Sequence, residues 1–180
     1  LKESEGFSFR IISERGHTAA VTGYAGSDVT VSVPKRISAG GADYAVTEID
    51  PGALSGNTQL QSITLPEGVL TIGSAAFSSC SALQNVFLPD SLTSIGDKAF
   101  YSCKSLVNIW LGDGLEAIGE NCFVSGTTAP LIRYPKSEAD FRLIDGYDGL
   151  KNVSISYGER YGYCLVCIPV FSRASSVTLV

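Results

Sequence analysis

The chain is expected to fold as an α/β solenoid, a horseshoe-like coil with a parallel concave sheet and short helical turns on its convex side. Three observations predict this. Ile49, Ile72, Ile95 and Ile118 stand at one constant interval of 23 residues, and most of what lies between them repeats. Each unit carries L-x-x-I/V-x-L, as in Leu60 to Leu65, Leu83 to Leu88 and Leu106 to Leu111, whose alternating end suits a short strand with one buried face. The middle units also carry Ile-Gly-x-x-Ala-Phe, where a glycine corner leads into a short stretch suited to a helical turn.

The interval can be followed position by position. Leu54, Phe77, Phe100 and Phe123 form one series, and Ile63, Val86, Ile109 and Ile132 form another. A unit of this length cannot enclose its own apolar side chains. They leave water only by stacking on the equivalent residues of the next unit, so the core lies between repeats. Pro66 and Pro89 follow two of the strands and stop them, while Gly73, Gly96 and Gly119 supply corners where a side chain or a negative φ would obstruct. One parallel sheet is expected from this stacking.

The units IGSAAFSSCSALQNVFLPDSLTS and IGDKAFYSCKSLVNIWLGDGLEA resemble the 23-residue, BspA-like (treponemal-type) leucine-rich repeat, close to IG-x-x-AF-x-x-C-x-x-L-x-x-I-x-LP. With the end segments the resemblance covers residues 7 to 157. It implies a leucine-rich-repeat coil from a secreted or cell-surface bacterial protein used in adhesion and protein binding. It implies no cofactor.

The ends read as caps. Residues 1–48 make an N-terminal cap and an irregular first repeat, with a hairpin across Ser13 to Gly16 and an insertion at 38–46. Residues 49–135 hold four repeats, the last degenerate. Residues 136–157 form a capping helix and strand: Ser137-Glu138-Ala139-Asp140 is a capping-box pattern, Phe141, Leu143 and Ile144 are available for burial, and Leu150-x-x-Val153-x-Ile155 restores the strand motif. Residues 158–180 are an apolar β tail or a junction to a following domain, expected to pack on the terminal cap or to pair with a second copy as a homodimer.

Composition narrows the function. The net charge is -5 and no basic run exists, which argues against nucleic acid and against an anionic membrane surface. The longest apolar run, Cys164 to Phe171, is far below the roughly 20 residues needed to span a bilayer, so no membrane insertion is expected. The chain starts at Leu1 and has no methionine, which suggests a piece of a longer product.

Catalytic constellations are poorly supported. His17 is the only histidine and sits beside a hairpin turn, which removes a histidine metal cluster. Cys80 and Cys103 share one repeat position and read as small buried thiols in a ladder, and Cys164-x-x-Cys167 without a second pair is a weak metal signal. Glu67, Asp90 and Asp113 recur just after three strands; a glycosidase pair or a calcium site can be drawn there, but solvated loop carboxylates are the expected state. Asn152-Val153-Ser154 fits a glycosylation sequon and reads as ordinary strand sequence.

The outward strand positions are more informative. If Ile63, Val86, Ile109, Ile132 and Val153 point inward, then Thr64, Phe87, Trp110, Arg133 and Ser154 point to the concave face, with Ser62, Asn85, Asn108, Leu131 and Asn152 before them. The expected protein or glycan site is therefore Phe87 and Trp110 flanked by Arg133, Asn85, Asn108 and Thr64. A non-enzymatic binding or adhesion module is the leading function, ahead of a passive spacer within a larger surface protein, with an enzyme last.

Overall fold

The computed structural model describes residues 6–124, 129–150 and 153–158, and the backbone of Ser176–Leu179. Among the described residues fourteen strands, β1 to β14, carry almost all of the regular structure. Two seven-stranded sheets run along the coil, each built from one short strand per rung.

One sheet, sheet II, contains β6 (Ser62–Thr64), β8 (Asn85–Phe87), β10 (Asn108–Trp110), β12 (Leu131–Tyr134) and β13 (Val153–Tyr157) in parallel order. Their central residues pair as Ile63, Val86, Ile109, Ile132 and Ile155, and all five are 0% exposed. β3 (Thr30–Ser32) joins at one edge, with Val31 opposite Ile63. β14 (Ser176–Leu179) lies antiparallel to β13 at the other. A register expectation needs correction here. Ile155, not Val153, continues the inward ladder, so Ser156 faces Arg133 and Ser154 faces Leu131. The strict repeat interval carries the register across the terminal cap; the local L-x-x-V match at Leu150 misleads by two residues. Residues 125–128, Asn152 and the Tyr161 to Phe171 run, with Cys164 and Cys167, lie outside the described residues.

Instead of one sheet the described residues form two. Sheet I links β2 (Thr18–Tyr24), β5 (Ala42–Ile49), β7 (Thr71–Ile72), β9 (Ser94–Ile95) and β11 (Ala117–Ile118) in parallel order. Ile49, Ile72, Ile95 and Ile118 are its buried ladder, a β-branched row well suited to strands. At the N-terminal end β1 (Phe7–Ser13) pairs antiparallel with β2, as expected. The insertion is itself a hairpin: β4 (Arg36–Ala39) pairs antiparallel with β5 across Gly40-Gly41, whose φ values of 60° and 84° fit a two-residue turn.

The expected helical turns after each corner are replaced by a ladder of tight turns. In one rung Ala76, Ser78 and Cys80 donate their N–H groups back to Gly73, Ala75 and Phe77 at 3.3, 3.0 and 3.3 Å. The intervening amides, of Ala75, Phe77 and Ser79, donate at 2.8 Å to Asp97, Ala99 and Tyr101 of the next rung. A helix would direct every interior amide along its own axis and leave none for a neighbour. Alternation requires left-handed residues, and Ala75, Ser79, Lys98 and Ser102 sit at φ of 56°, 62°, 56° and 59°. The corner glycines have no such φ. Their reason is contact: a Cβ on Gly73, Gly96 or Gly119 would lie 2.4, 2.6 or 2.3 Å from backbone nitrogen of the preceding rung.

Between the sheets and the turns the phenylalanine ladder is closed. Phe77 and Phe100 are 0% exposed and Phe123 is 2% exposed. At the C-terminal end α1 (Glu138–Phe141) is a single turn whose capping box forms as the sequence indicates, Ser137 and Asp140 bonding each other's backbone N–H. Phe141 packs edge-on against Tyr134 at 4.9 Å and against Tyr147 at 5.5 Å. Phe141 and Ile144 are buried, but Leu143 is 83% exposed, against expectation. Burying Phe141 and Ile144, three positions apart, turns the two residues between them, Arg142 and Leu143, outward.

Candidate ligand-binding face

The outward side of sheet II assembles the expected residues. The register places Thr64, Phe87, Trp110 and Arg133 side by side on β6, β8, β10 and β12. All four are half-buried. The rings of Phe87 and Trp110 stack at 4.4 Å between centroids and 14° between planes. The guanidinium carbon of Arg133 lies 5.4 Å from the Trp110 ring centre, a cation–π arrangement. One row away Asn108 Nδ2 donates to Asn85 Oδ1 at 3.0 Å, so the two amides form a short ladder parallel to the rings. Strand spacing of about 4.8 Å brings flat groups on adjacent rungs into contact.

The acidic row has a structural part that sequence reasoning missed. Glu67 accepts the backbone N–H groups of Asp90 and Ser91 at 3.0 and 3.2 Å, and Asp90 accepts that of Asp113 at 3.1 Å. Lys136 Nζ then donates to the Asp113 carbonyl at 2.7 Å. The Glu67 and Asp90 carboxylates thus fasten the loop of the following rung rather than facing only water. The signal was present in the constant spacing, because an acceptor repeated at the rung interval always faces the same amide one unit later.

Cys80 and Cys103 are buried free thiols whose Sγ atoms lie 3.1 Å from the carbonyls of Leu54 and Phe77. Hydrogen bonding with Cys80 and burial both push the Cys103 thiol up, and burial does the same for Cys122, so neither of these two is poised as a nucleophile; hydrogen bonding with Cys103 pulls the Cys80 thiol down, against its burial. His17 sits in the first hairpin with its ring 5.5 Å from Tyr44. Among the described residues no group of three or more potential ligands is placed to hold a metal ion, and no helix is long and apolar enough to cross a membrane.

Comparison with known proteins agrees with the architecture. The family model described as the BspA type leucine rich repeat region matches residues 42–142 in 6 copies. A leucine-rich repeat protein from Bacteroides capillosus is 27% identical at a TM-score of 0.61, over 68% of this chain and 92% of its own. One from Bacteroides ovatus is 28% identical at 0.64, over 71% of this chain and 33% of its own. A leucine rich cell surface protein from Faecalibacterium prausnitzii, 19% identical at 0.51 over 71% of this chain and 43% of its own, shares the fold. No curated protein matches. With the in-phase ladders and the matched region together, the chain belongs to the BspA-type leucine-rich repeat family.

Proposed function

We propose that this chain is a non-enzymatic secreted or cell-surface adhesion module that binds a protein or glycan on the outward face of sheet II. One observation carries the reading: the only tryptophan of the chain stacks on a phenylalanine from the next rung, half-buried on a strand face instead of in the core. Aromatic and arginine side chains concentrate binding energy at interfaces, and amides such as those of Asn85 and Asn108 supply direction around them. The surface location is supported by the family and by a fold relative whose name describes a cell surface protein.

The test is the double change Phe87→Ala with Trp110→Ala, assayed against a panel of extracellular-matrix proteins and a glycan array. The fold should persist by circular dichroism while binding disappears. A passive spacer is favoured by the same stack, since rings on neighbouring strands stabilise each other by about 0.2–1 kcal/mol without any ligand. A partner that binds the double variant as tightly as the parent would select the spacer for this face.

A further inference from the structure

We propose that a pocket beside the C-terminal cap is a docking site for a protein partner, which inserts a lysine or arginine side chain into it. The aliphatic stem lies on Leu115, Leu143 and Ile144, and the cationic head reaches Glu116, Asp140 and the Tyr134 hydroxyl. The pocket holds about 440 Å³, between the 113–116 loop that follows β10 and the end of α1. It is separate from the stacked rings of sheet II and does not rest on the reading of that face.

The Tyr134 hydroxyl is the group that calls for a ligand. Tyr134 is 2% exposed and lines the pocket, and its hydroxyl has no hydrogen-bond partner among the described residues. Buried polar groups are ordinarily partnered, and this oxygen opens on the pocket instead of being sealed in protein. Burial first, and then Asp140 and Asp113, push the phenol above its ordinary value, so two carboxylates bear on the same oxygen.

Charge and shape select the occupant. Three carboxylates, of Asp113, Glu116 and Asp140, line the pocket against one ammonium, of Lys136, which is held on the Asp113 carbonyl at 2.7 Å. The balance is negative. Asp140 meets Ser137 through Oδ2, which leaves Oδ1 to accept from a ligand. A basic head group donates and accepts nothing, so it suits a site whose carboxylates and phenol oxygen accept. Leu115 and Ile144 form a buried apolar floor, while Leu143 stands 83% exposed at the lip, where an aliphatic stem covers it. That leucine reaches beyond what a small amine covers, which points to a protein surface as the source of the cation.

The probes are the acetylated, amidated peptide Gly-Leu-Lys-Leu-Gly, its arginine, norleucine and glutamate counterparts, and spermidine, followed by amide chemical shifts of the isotope-labelled chain and by calorimetry. The lysine or arginine peptide should move the amides of Leu115, Glu116 and Ile144 saturably. It should bind roughly tenfold more tightly than the norleucine peptide, with the advantage shrinking in about 0.5 M salt. Glu116→Gln, at an exposed side chain, should cut that advantage to about twofold. Tyr134→Phe should weaken binding by about fivefold while leaving the melting temperature unchanged or raised, because no bond of the folded chain is lost. The comparison of peptides on the parent chain is independent of how either variant folds. Equal binding by the norleucine or glutamate peptide, no response to the basic peptides at millimolar concentration, or a response to spermidine alone would overturn the inference. So would self-association of the chain that Glu116→Gln dissolves, since the occupant would then be a second copy.

Discussion

The ring of Phe77 lies 5.0 Å from that of Phe100, and the two planes differ by 2°. Phe123 continues the stack at 5.6 Å and 14°. This column is what the repeat interval means physically: each rung supplies one ring, and a ring leaves water only when the rungs on both sides supply theirs.

Removing the middle ring should therefore open a cavity between two neighbours held in place by their own backbone ladders. Phe100→Ala is expected to cost about 3–5 kcal/mol in urea or guanidinium melts. A loss under about 1 kcal/mol would mean that the rungs collapse freely, contrary to the ladder of amide bonds on the turn side.

The turn side separates two backbone effects. Gly96 has no left-handed φ but packs against the preceding rung, where a Cβ would lie 2.6 Å from Ser74 nitrogen, so Gly96→Ala should destabilise by about 1–3 kcal/mol. Ser79 is exposed at φ 62°, where a side chain is strained, so Ser79→Gly should be neutral or stabilise by up to about 1 kcal/mol. Opposite signs are the expectation; equal losses in the two variants would contradict this account of the corner and the turn.

Glu67 offers a test of the acidic row. Its carboxylate holds two N–H groups of the next loop, and Glu67→Ala should lower stability by about 1 kcal/mol, the scale of a lost helix cap. Glu67→Gln keeps one amide oxygen and should lose less. Ligand binding should be unaffected in both, and an alanine variant as stable as the parent would return this residue to the role of a solvated charge.

Alkaline pH should loosen the C-terminal cap. The Tyr157 phenol is pushed up to about 12 from its ordinary 10.0, first by burial and then by Tyr147 and Glu138. The unfolded chain gives up this proton near pH 10 while the folded chain holds it to about 12, so the stabilisation is complete below the first value and is lost as pH rises through the second. Thermal melts across that window should fall less steeply for Tyr157→Phe than for the parent. Parallel curves would show that the group is not linked to folding.

Much of the candidate face was legible before any coordinates, because strand alternation and a constant interval suffice to put Phe87, Trp110 and Arg133 on one side of adjacent rungs. What alternation does not encode is how flat groups 4.4 Å apart orient. The planes of Phe87 and Trp110 differ by 14°, so the two rings meet face to face. Arg133 was expected as a flank and is the lid of the stack.

The sequence by itself determined which residues share a ladder. Identical units too short to enclose a core must stack in phase, so Ile63 to Ile132 and the Phe77, Phe100 and Phe123 column follow from spacing alone. Only the tertiary structure decided the path of the backbone between the ladders. The same Ile-Gly-x-x-Ala-Phe pattern places its isoleucine and phenylalanine inward in a helical turn or in a run of tight turns, and the local sequence does not distinguish them. The neighbouring rung does: its carbonyls at Asp97, Ala99 and Tyr101 capture alternate amides of Ala75, Phe77 and Ser79, which draws Ala75 and Ser79 into left-handed backbone and replaces the helix. That bond exists only once two rungs are stacked, so no single unit contains the information.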